Sequence, residues 1–386
     1  MAFAQLPPSA PDASFSLIAA YRADTNENKV DLCPGFYRDE NGKPWILPSV
    51  RKAKEIVHAD PTLDHEHLPQ LGSPELVAAG RAIAFGNAAS SRIASIQTVS
   101  GTGSNHLGAR LLAHVLRPEA VWLSDPTWIN HTEIWTYDGP SIHQRFYPYY
   151  DKENAKLAFD AMISTLKAEA KAGDVIVLHA CAHNPTGVDP SHEQWKAIGE
   201  VCVEKGLFPL FDSAYQGFAT GDVDADAWAI RHFLTLQDGK MELAVAQSFS
   251  KNFGLYGERI GALHIATRDT TTAANVEGKL KKISRAEIST PPSYGARVIA
   301  AVMRSPELKR QWLADLDTMS SRMRKMRRRL FEELIQRGTP GTWEHLLTDI
   351  GMFSMTGLSR DQVVRLKDEF HIYLLPSGRL SVTGCK

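Results

Sequence analysis

Three stretches share one layout: VIVLHACAHNPTG at residues 175–187, LFPLFDSAY at 207–215 and LAVAQSFSKN at 243–252. Each opens as a short, continuously apolar run. A strand in a parallel sheet has helices on both faces, so it has no solvent side on which to alternate polar residues. Each stretch then runs out into polar residues: Asn184; Asp212 and Tyr215; Ser248, Ser250 and Lys251. Open α/β sheets take ligands beyond the carboxyl ends of their strands. One polar residue there reads most simply as a turn or cap. An amide, an acid and a lysine on successive strands point to a site.

The intervening sequence reads as helices. Ser191 with Gln194 forms a capping box, Trp195, Ile198 and Cys202 face inward, and Gly206 closes the segment. Residues 155–171 place Phe159, Met162, Ile163 and Leu166 on one face, and Ser73-Pro74-Glu75 opens a helix to about Gly86. Residues 93–98 read as a strand, followed by a glycine turn at 101–103 and a helix carrying Leu107, Leu111, Leu112 and Val115; residues 260–267 read as a further buried strand. The alternation predicts an α/β fold with a mostly parallel sheet covered on both faces. Residues 306–337 form one long helix with a stripe of Trp312, Leu316, Met319, Met323, Met326, Leu330 and Leu334, and its basic run (Arg322, Arg324, Lys325, Arg327, Arg328, Arg329) reads as a solvated face. Short strand-like pieces beyond 340 predict a small α+β domain. Residues 1–44, broken by Pro7, Pro8, Pro11, Pro34 and Pro44, are expected to be irregular.

At 386 residues, two domains are expected. With 43 basic against 44 acidic residues the net charge is −1, which gives no electrostatic drive toward nucleic acid or an anionic membrane. No stretch approaches the roughly 20 apolar residues of a membrane span. The opening residues lack the basic and apolar regions of a secretion signal, and Cys33, Cys181, Cys202 and Cys385 are widely spaced, so a reducing cytoplasm is the expected setting. His65 and His67 alone are too few for a metal site, and none is expected.

Ser100-Gly101-Thr102-Gly103 lies between a strand and a helix. Free N–H groups, hydroxyls and the helix dipole make such a junction suitable for phosphate, although a plain tight turn has the same sequence. The next glycine is Gly108, which does not fit the dinucleotide spacing. A strand-end lysine, a neighbouring carboxylate and a phosphate-binding helix start together match pyridoxal 5'-phosphate. The amine forms a Schiff base with the aldehyde, the acid keeps the ring nitrogen protonated, and the helix start holds the phosphate.

Together with VDLCPGFYRDENGKPWILPSVRKA (30–53), QTVSGTGSNHLGA (97–109), SDPTWINH (124–131), QSFSKNFGLYGERIG (247–261), STPPSYGARV (289–298) and IGMFSMTGL (350–358), these stretches make the chain resemble the class I aspartate aminotransferases, in the style of the eukaryotic cytosolic form, from about Leu6 onward. The resemblance implies pyridoxal-phosphate fold type I: a large domain over 45–318 and a small domain combining 1–44 with 319–386. It implies that Lys251 is the Schiff-base lysine and proton shuttle, that Asp212 pairs with the ring nitrogen, and that Tyr215 and Asn184 bond the ring oxygen. It implies that Trp128 stacks on the ring and that Ser100, Gly101, Thr102, Ser248 and Arg259 hold the phosphate. Arg379, helped by Gly35 and Asn184, would take the substrate α-carboxylate. Arg285 would cross from the partner of a homodimer to take the side-chain carboxylate, and two planar guanidinium groups at the two ends select a dicarboxylate. A link between His131 and Asp212 is also expected. The implied reaction is ping-pong transamination of L-aspartate and 2-oxoglutarate to oxaloacetate and L-glutamate. The alternatives are an aromatic or specialised-pathway aminotransferase of the same family, or an inactive paralogue acting as a binding subunit. The chain departs from the pattern in three places. His67 in HEHLP replaces a tyrosine that reaches the phosphate across the dimer, Cys33 and Pro34 replace small flexible residues, and the sequence ends at Lys386 where the family pattern continues into a further helix.

Overall fold

The computed structural model describes residues 3–8, 11–33, 35–88 and 90–385; Pro34 and Lys386 lie outside them. Its centre is a seven-stranded sheet of β1 (Ile93–Val99), β2 (Ala120–Asp125), β3 (His143–Pro148), β4 (Val175–His179), β5 (Phe208–Ser213), β6 (Leu243–Ser248) and β7 (Ile260–Ala266), in the order β1-β7-β6-β5-β4-β2-β3. β4, β6 and β7 are buried along their whole length, as their unbroken apolar runs require. The edge strand β3, HQRFYP, is largely exposed, and its polar content hid it from a reading based on apolar runs.

Five of the strands run parallel from β6 to β3, and β7 runs antiparallel to both of its neighbours. The register aligns His179 with Asp212 and Ser213 with Gln247, so β4, β5 and β6 end at one edge. The reversal of β7 brings its beginning, rather than its end, to that edge. Ile260 pairs with Val99 there, which sets Arg259 beside Ser100, and the Ser100 N–H donates to the Arg259 carbonyl at 3.0 Å.

Several expectations change in detail. Residues 1–44 are not wholly irregular, because α1 spans Ala13–Ala23. The prolines all lie outside it, and Asp12 caps it by accepting from the Phe15 N–H at 2.9 Å. The helix α2, Pro74–Phe85, begins at its Ser73 cap and ends at Gly86 as expected. No separate turn precedes the next helix: α3 runs from Ser100 to Val115, so Gly101 and Gly103 belong to its first turn. α4, Ile129–Asp138, follows β2. The capping box of Ser191 and Gln194 is present, and Gly206 is left-handed at φ 65°. No helix among the described residues is long and apolar enough to cross a membrane.

The helix α5, Pro306–Gln336, buries Trp312, Leu316, Met319, Met323 and Met326, as the stripe predicts. Its basic run is not uniformly solvated. Arg324, Lys325, Arg328 and Arg329 are exposed, but Arg327 is only 3% exposed. The helical period turns it inward, where its guanidinium donates to the carbonyls of Ile350, Gly351 and Phe353 and lies 3.8 Å from Asp349. Ile350 in turn donates its N–H to the Gly187 carbonyl at 2.8 Å, tying α5 to the loop after β4. Two short pairings complete the C-terminal region: Val30–Asp31 runs parallel to Ile372–Tyr373, and Phe353–Met355 runs antiparallel to Arg379–Ser381.

Removing the Arg327 donors strands three carbonyls and a buried carboxylate. Arg327→Leu is expected to cost about 3 kcal/mol in denaturant unfolding. Arg328→Leu, on the exposed face, is expected to stay within about 0.5 kcal/mol.

Candidate active site

Twelve of the fourteen residues singled out in the sequence line one cavity of about 330 Å³ at the carboxyl edge of the sheet: Gly35, Ser100, Gly101, Thr102, Trp128, Asn184, Asp212, Tyr215, Ser248, Lys251, Arg259 and Arg379. They arrive from β1, β2, β4, β5, β6 and β7 and from the N- and C-terminal regions. No single stretch of sequence contains the site.

One end of the cavity is built for an anion. The first turn of α3 presents its N–H groups there. Arg259 Nη2 donates to Ser100 Oγ at 2.6 Å. Ser100 and Arg259 both have left-handed backbone, at φ 66° and 55°. Strain at two facing non-glycine residues, about 1 kcal/mol or more each, persists only where the surroundings enforce it. A Cβ on Gly101 would sit 2.7 Å from the Ser248 Cβ, so only glycine allows β6 to approach the helix start this closely.

At the centre, Lys251 Nζ lies over the Tyr215 ring, 4.8 Å from its centroid. Loss of solvation in the cavity lowers the amine to about 8; Asp212 opposes this, and Arg259 and Arg379 add to it. Asp212 is buried, which pushes its carboxyl up, but the bond from His131 and the fields of His131 and Lys251 outweigh burial and hold it below its usual value.

The contacts around Asp212 form one connected chain. The Asn184 N–H donates to His179 Nδ1 at 3.2 Å. Burial, with the neighbouring His183 and His131, keeps His179 neutral. Its proton is therefore on Nε2, which donates to Thr127 Oγ1 at 3.2 Å. The Thr127 hydroxyl also lies 2.9 Å from His131 Nδ1, and His131 Nε2–H donates to Asp212 Oδ2 at 3.0 Å. Trp128 packs edge-on to His131 at 5.3 Å. Thr127 and His179 carry this chain and were not anticipated from sequence. Their only signal is position, at the ends of β2 and β4.

The far side holds Arg379. Its Nη1 donates to Asn184 Oδ1 at 3.2 Å and its Nη2 to the Cys33 carbonyl at 2.9 Å, while its guanidinium lies 4.0 Å over the Phe353 ring. Its Nε is buried without a partner, an unused donor beside the cavity. Gly35 lines this side, where a Cβ would meet Phe353 at 3.3 Å.

Two expected residues lie elsewhere. His67 and Arg285 are exposed and outside the cavity formed by their own chain. His67 Nδ1 is 3.1 Å from Thr290 Oγ1, and Arg285 bonds Ser289 Oγ, so the two share one surface turn.

An anion cradle, a lysine of lowered basicity and a buried anionic carboxylate with one oxygen left by His131 are the donor set that pyridoxal 5'-phosphate requires, and the residues fit it. The family "Aminotransferase class I and II" matches residues 27–386, and the chain belongs to it. This family depends on pyridoxal phosphate. Among relatives, the chain is 42% identical to the cytoplasmic aspartate aminotransferase of Saccharomyces cerevisiae, over 97% of this chain and 91% of that protein. The solved structure of the yeast cytoplasmic enzyme superposes with a TM-score of 0.95 at 41% identity, covering 100% of this chain and 94% of that one. The chain is 44% identical to an L-tyrosine:2-oxoglutarate aminotransferase of Aspergillus ustus, over 97% of this chain and 73% of that protein. An aromatic-amino-acid aminotransferase of Burkholderia pseudomallei, covalently bound to pyridoxal phosphate, matches with a TM-score of 0.94 at 36% identity, covering 100% and 95% of the two chains.

Thr127→Val keeps the shape but removes the hydroxyl that links His179 to His131. Two buried ring nitrogens lose their partner, at about 1–3 kcal/mol. A fall in kcat/KM of tenfold or more is expected, with Thr127→Ser restoring most of it. Equal losses in both variants would mean that the hydroxyl does not matter.

Proposed function

We propose that the protein catalyses reversible transfer of the amino group from L-aspartate to 2-oxoglutarate, giving oxaloacetate and L-glutamate, as a cytoplasmic homodimer. The observation that carries the reading is the convergence of Lys251, Asp212 and Arg379 in one cavity with an anion cradle at its end. Pyridoxal 5'-phosphate, when bound, supplies an aldehyde for the substrate amine and a ring that withdraws electrons from Cα.

The chain's own residues supply the rest. Ser100, Gly101, Thr102, Ser248 and Arg259 would hold the phosphate, Trp128 would cover the ring, and Tyr215 and Asn184 would bond its oxygen. Asp212 stays anionic and holds a proton on the ring nitrogen. Arg379, with Gly35 and Asn184 beside it, grips the α-carboxylate in a fork geometry, which orients Cα toward Lys251. An amine lowered to about 8 is in part unprotonated near neutral pH, so Lys251 can take the Cα proton and return it.

Arg285 and His67 complete the site from the partner subunit in this reading. Their shared exposed patch supports it, since both lie outside their own chain's cavity. Arg285 would take the side-chain carboxylate and His67 would donate to the phosphate. Division of the chain into a large domain (45–318) and a small one (1–44 with 319–386) is supported by the pairing of Val30–Asp31 with Ile372–Tyr373, although α5 crosses residue 318 without a break.

The test is a coupled assay of oxaloacetate formation from aspartate and 2-oxoglutarate. Wild type is expected to turn over. Arg285→Asp is expected to lose 100-fold or more in kcat/KM for aspartate, since an unpaired carboxylate costs about 3–5 kcal/mol, and far less for phenylalanine. Comparable losses for both substrates would remove Arg285 from side-chain recognition.

A further inference from the structure

Two helices of this chain end on an acid. α4 ends at Asp138, and the helix Thr270–Glu287, which carries Arg285, ends at Glu287. The last carbonyls of a helix present partial negative charge, so an acid there is unfavourable unless a cation offsets it. Both acids meet one side chain. His106, in the second turn of α3, donates from Nδ1 to Asp138 Oδ2 at 2.6 Å, and its Nε2 lies 3.2 Å from Glu287 Oε1. Arg110, one turn further along α3, reaches the same Glu287 oxygen at 3.1 Å. The Asp138 and Glu287 side chains are only 4% and 17% exposed, so water does little to screen either contact.

A carboxylate oxygen only accepts, and a neutral imidazole carries a single N–H. With Nδ1 and Nε2 each facing a carboxylate, the ring serves both acids only as the imidazolium. The bond to Asp138 comes first among the causes that raise His106 above its ordinary pKa, against partial burial; the fields of Asp138 and Glu287 add to it. The other ionisable groups around the surface cavity that His106 lines are Glu133 and Tyr137 on α4 and Arg259.

The consequence falls on Arg285, two residues before Glu287. Beyond Glu287, the Ile288 and Ser289 N–H groups both donate to the Ser284 carbonyl, at 2.9 and 3.1 Å. Ser289 takes left-handed backbone at φ 66°, its hydroxyl accepts from Arg285, and Pro291 and Pro292 follow. The turn that aims Arg285 is thus tied within itself, and Glu287 ties it to α3, the helix whose first turn forms the anion cradle. A guanidinium on a long flexible stem selects a carboxylate only as well as its helix end is placed.

We propose that the imidazolium of His106, clasping Glu287 and Asp138 together, positions the helix end that bears Arg285, and that His106 and Glu287 are positioning residues for recognition of the dicarboxylate. The proposal rests on the reading above in which Arg285 takes the side-chain carboxylate, and deepens it. The clasp is complete while His106 is charged and is lost as pH rises through its raised pKa.

The experiment uses the cofactor-loaded enzyme. Calorimetry gives the dissociation constant of succinate, and steady-state kinetics give kcat and KM for L-aspartate, in wild type, His106→Gln, His106→Arg, Glu287→Gln, Arg285→Ala and the His106→Gln/Arg285→Ala pair. At pH 6.5, His106→Gln is expected to weaken succinate about fivefold and to raise the aspartate KM by a similar factor with kcat little changed. Glu287→Gln is expected to do the same, and decides the matter if the His106 variant does not fold. His106→Arg, a permanent cation able to fork between two acids, is expected to restore binding. The ratio of the His106→Gln and wild-type constants is expected to fall toward one by pH 9, since other titrating groups cancel in the ratio. In the Arg285→Ala background, His106→Gln is expected to add nothing. A fivefold loss that persists in that background, a ratio that does not change with pH, or unchanged succinate binding in both His106→Gln and Glu287→Gln overturns the clasp while leaving Arg285 its role. Unchanged succinate binding in Arg285→Ala itself removes the reading of Arg285, and the clasp with it.

Discussion

The buried carboxylate of Asp212 is the constraint around which the site is organised. An anion inside a protein costs several kcal/mol unless it is paired or bonded. Here the bond from His131 and the fields of His131 and Lys251 supply the stabilisation, and the His131 ring is positioned by a run of contacts from the Asn184 amide through His179 and Thr127. The arrangement keeps Asp212 an acceptor on one side and leaves its other oxygen for a protonated ring nitrogen. Asn184 also bonds Arg379, so one residue joins the groups that orient the cofactor ring to the group that orients the substrate.

The sheet makes this possible by topology. Three parallel strands deliver His179, Asp212 and Ser248 to one edge, and the reversed β7 delivers Arg259 to the same edge. A parallel β7 would end rather than begin there, and Arg259 would lie at the opposite edge. α5 reinforces the arrangement from behind, since its inward Arg327 holds the 350–353 segment, which bonds Gly187 after β4 and carries the Phe353 ring under Arg379.

Much of this was legible in the sequence because burial leaves a pattern. The apolar runs of β4, β5 and β6, the Ser191 capping box and the Met stripe of α5 each have a physical period that can be read directly. Three kinds of feature were not. The edge strand β3 has no buried pattern, and a short helix such as α1 is hidden among prolines that lie outside it. Arg327 looks like its basic neighbours until the helical period turns it inward. Thr127 and His179 are ordinary residues whose role depends on tautomers that only neighbouring donors fix. His67 and Arg285 stand apart from the other twelve site residues for a further reason: their expected place is in a second copy of the chain.

The central claim is that Lys251 is the amine that carries the cofactor. The most direct measurement is borohydride reduction of the purified protein followed by peptide mass spectrometry. The account predicts a pyridoxyl group on Lys251 in the peptide containing SFSKN, and no stable adduct in Lys251→Ala. An adduct on another lysine, or none in a protein that transaminates, would contradict it.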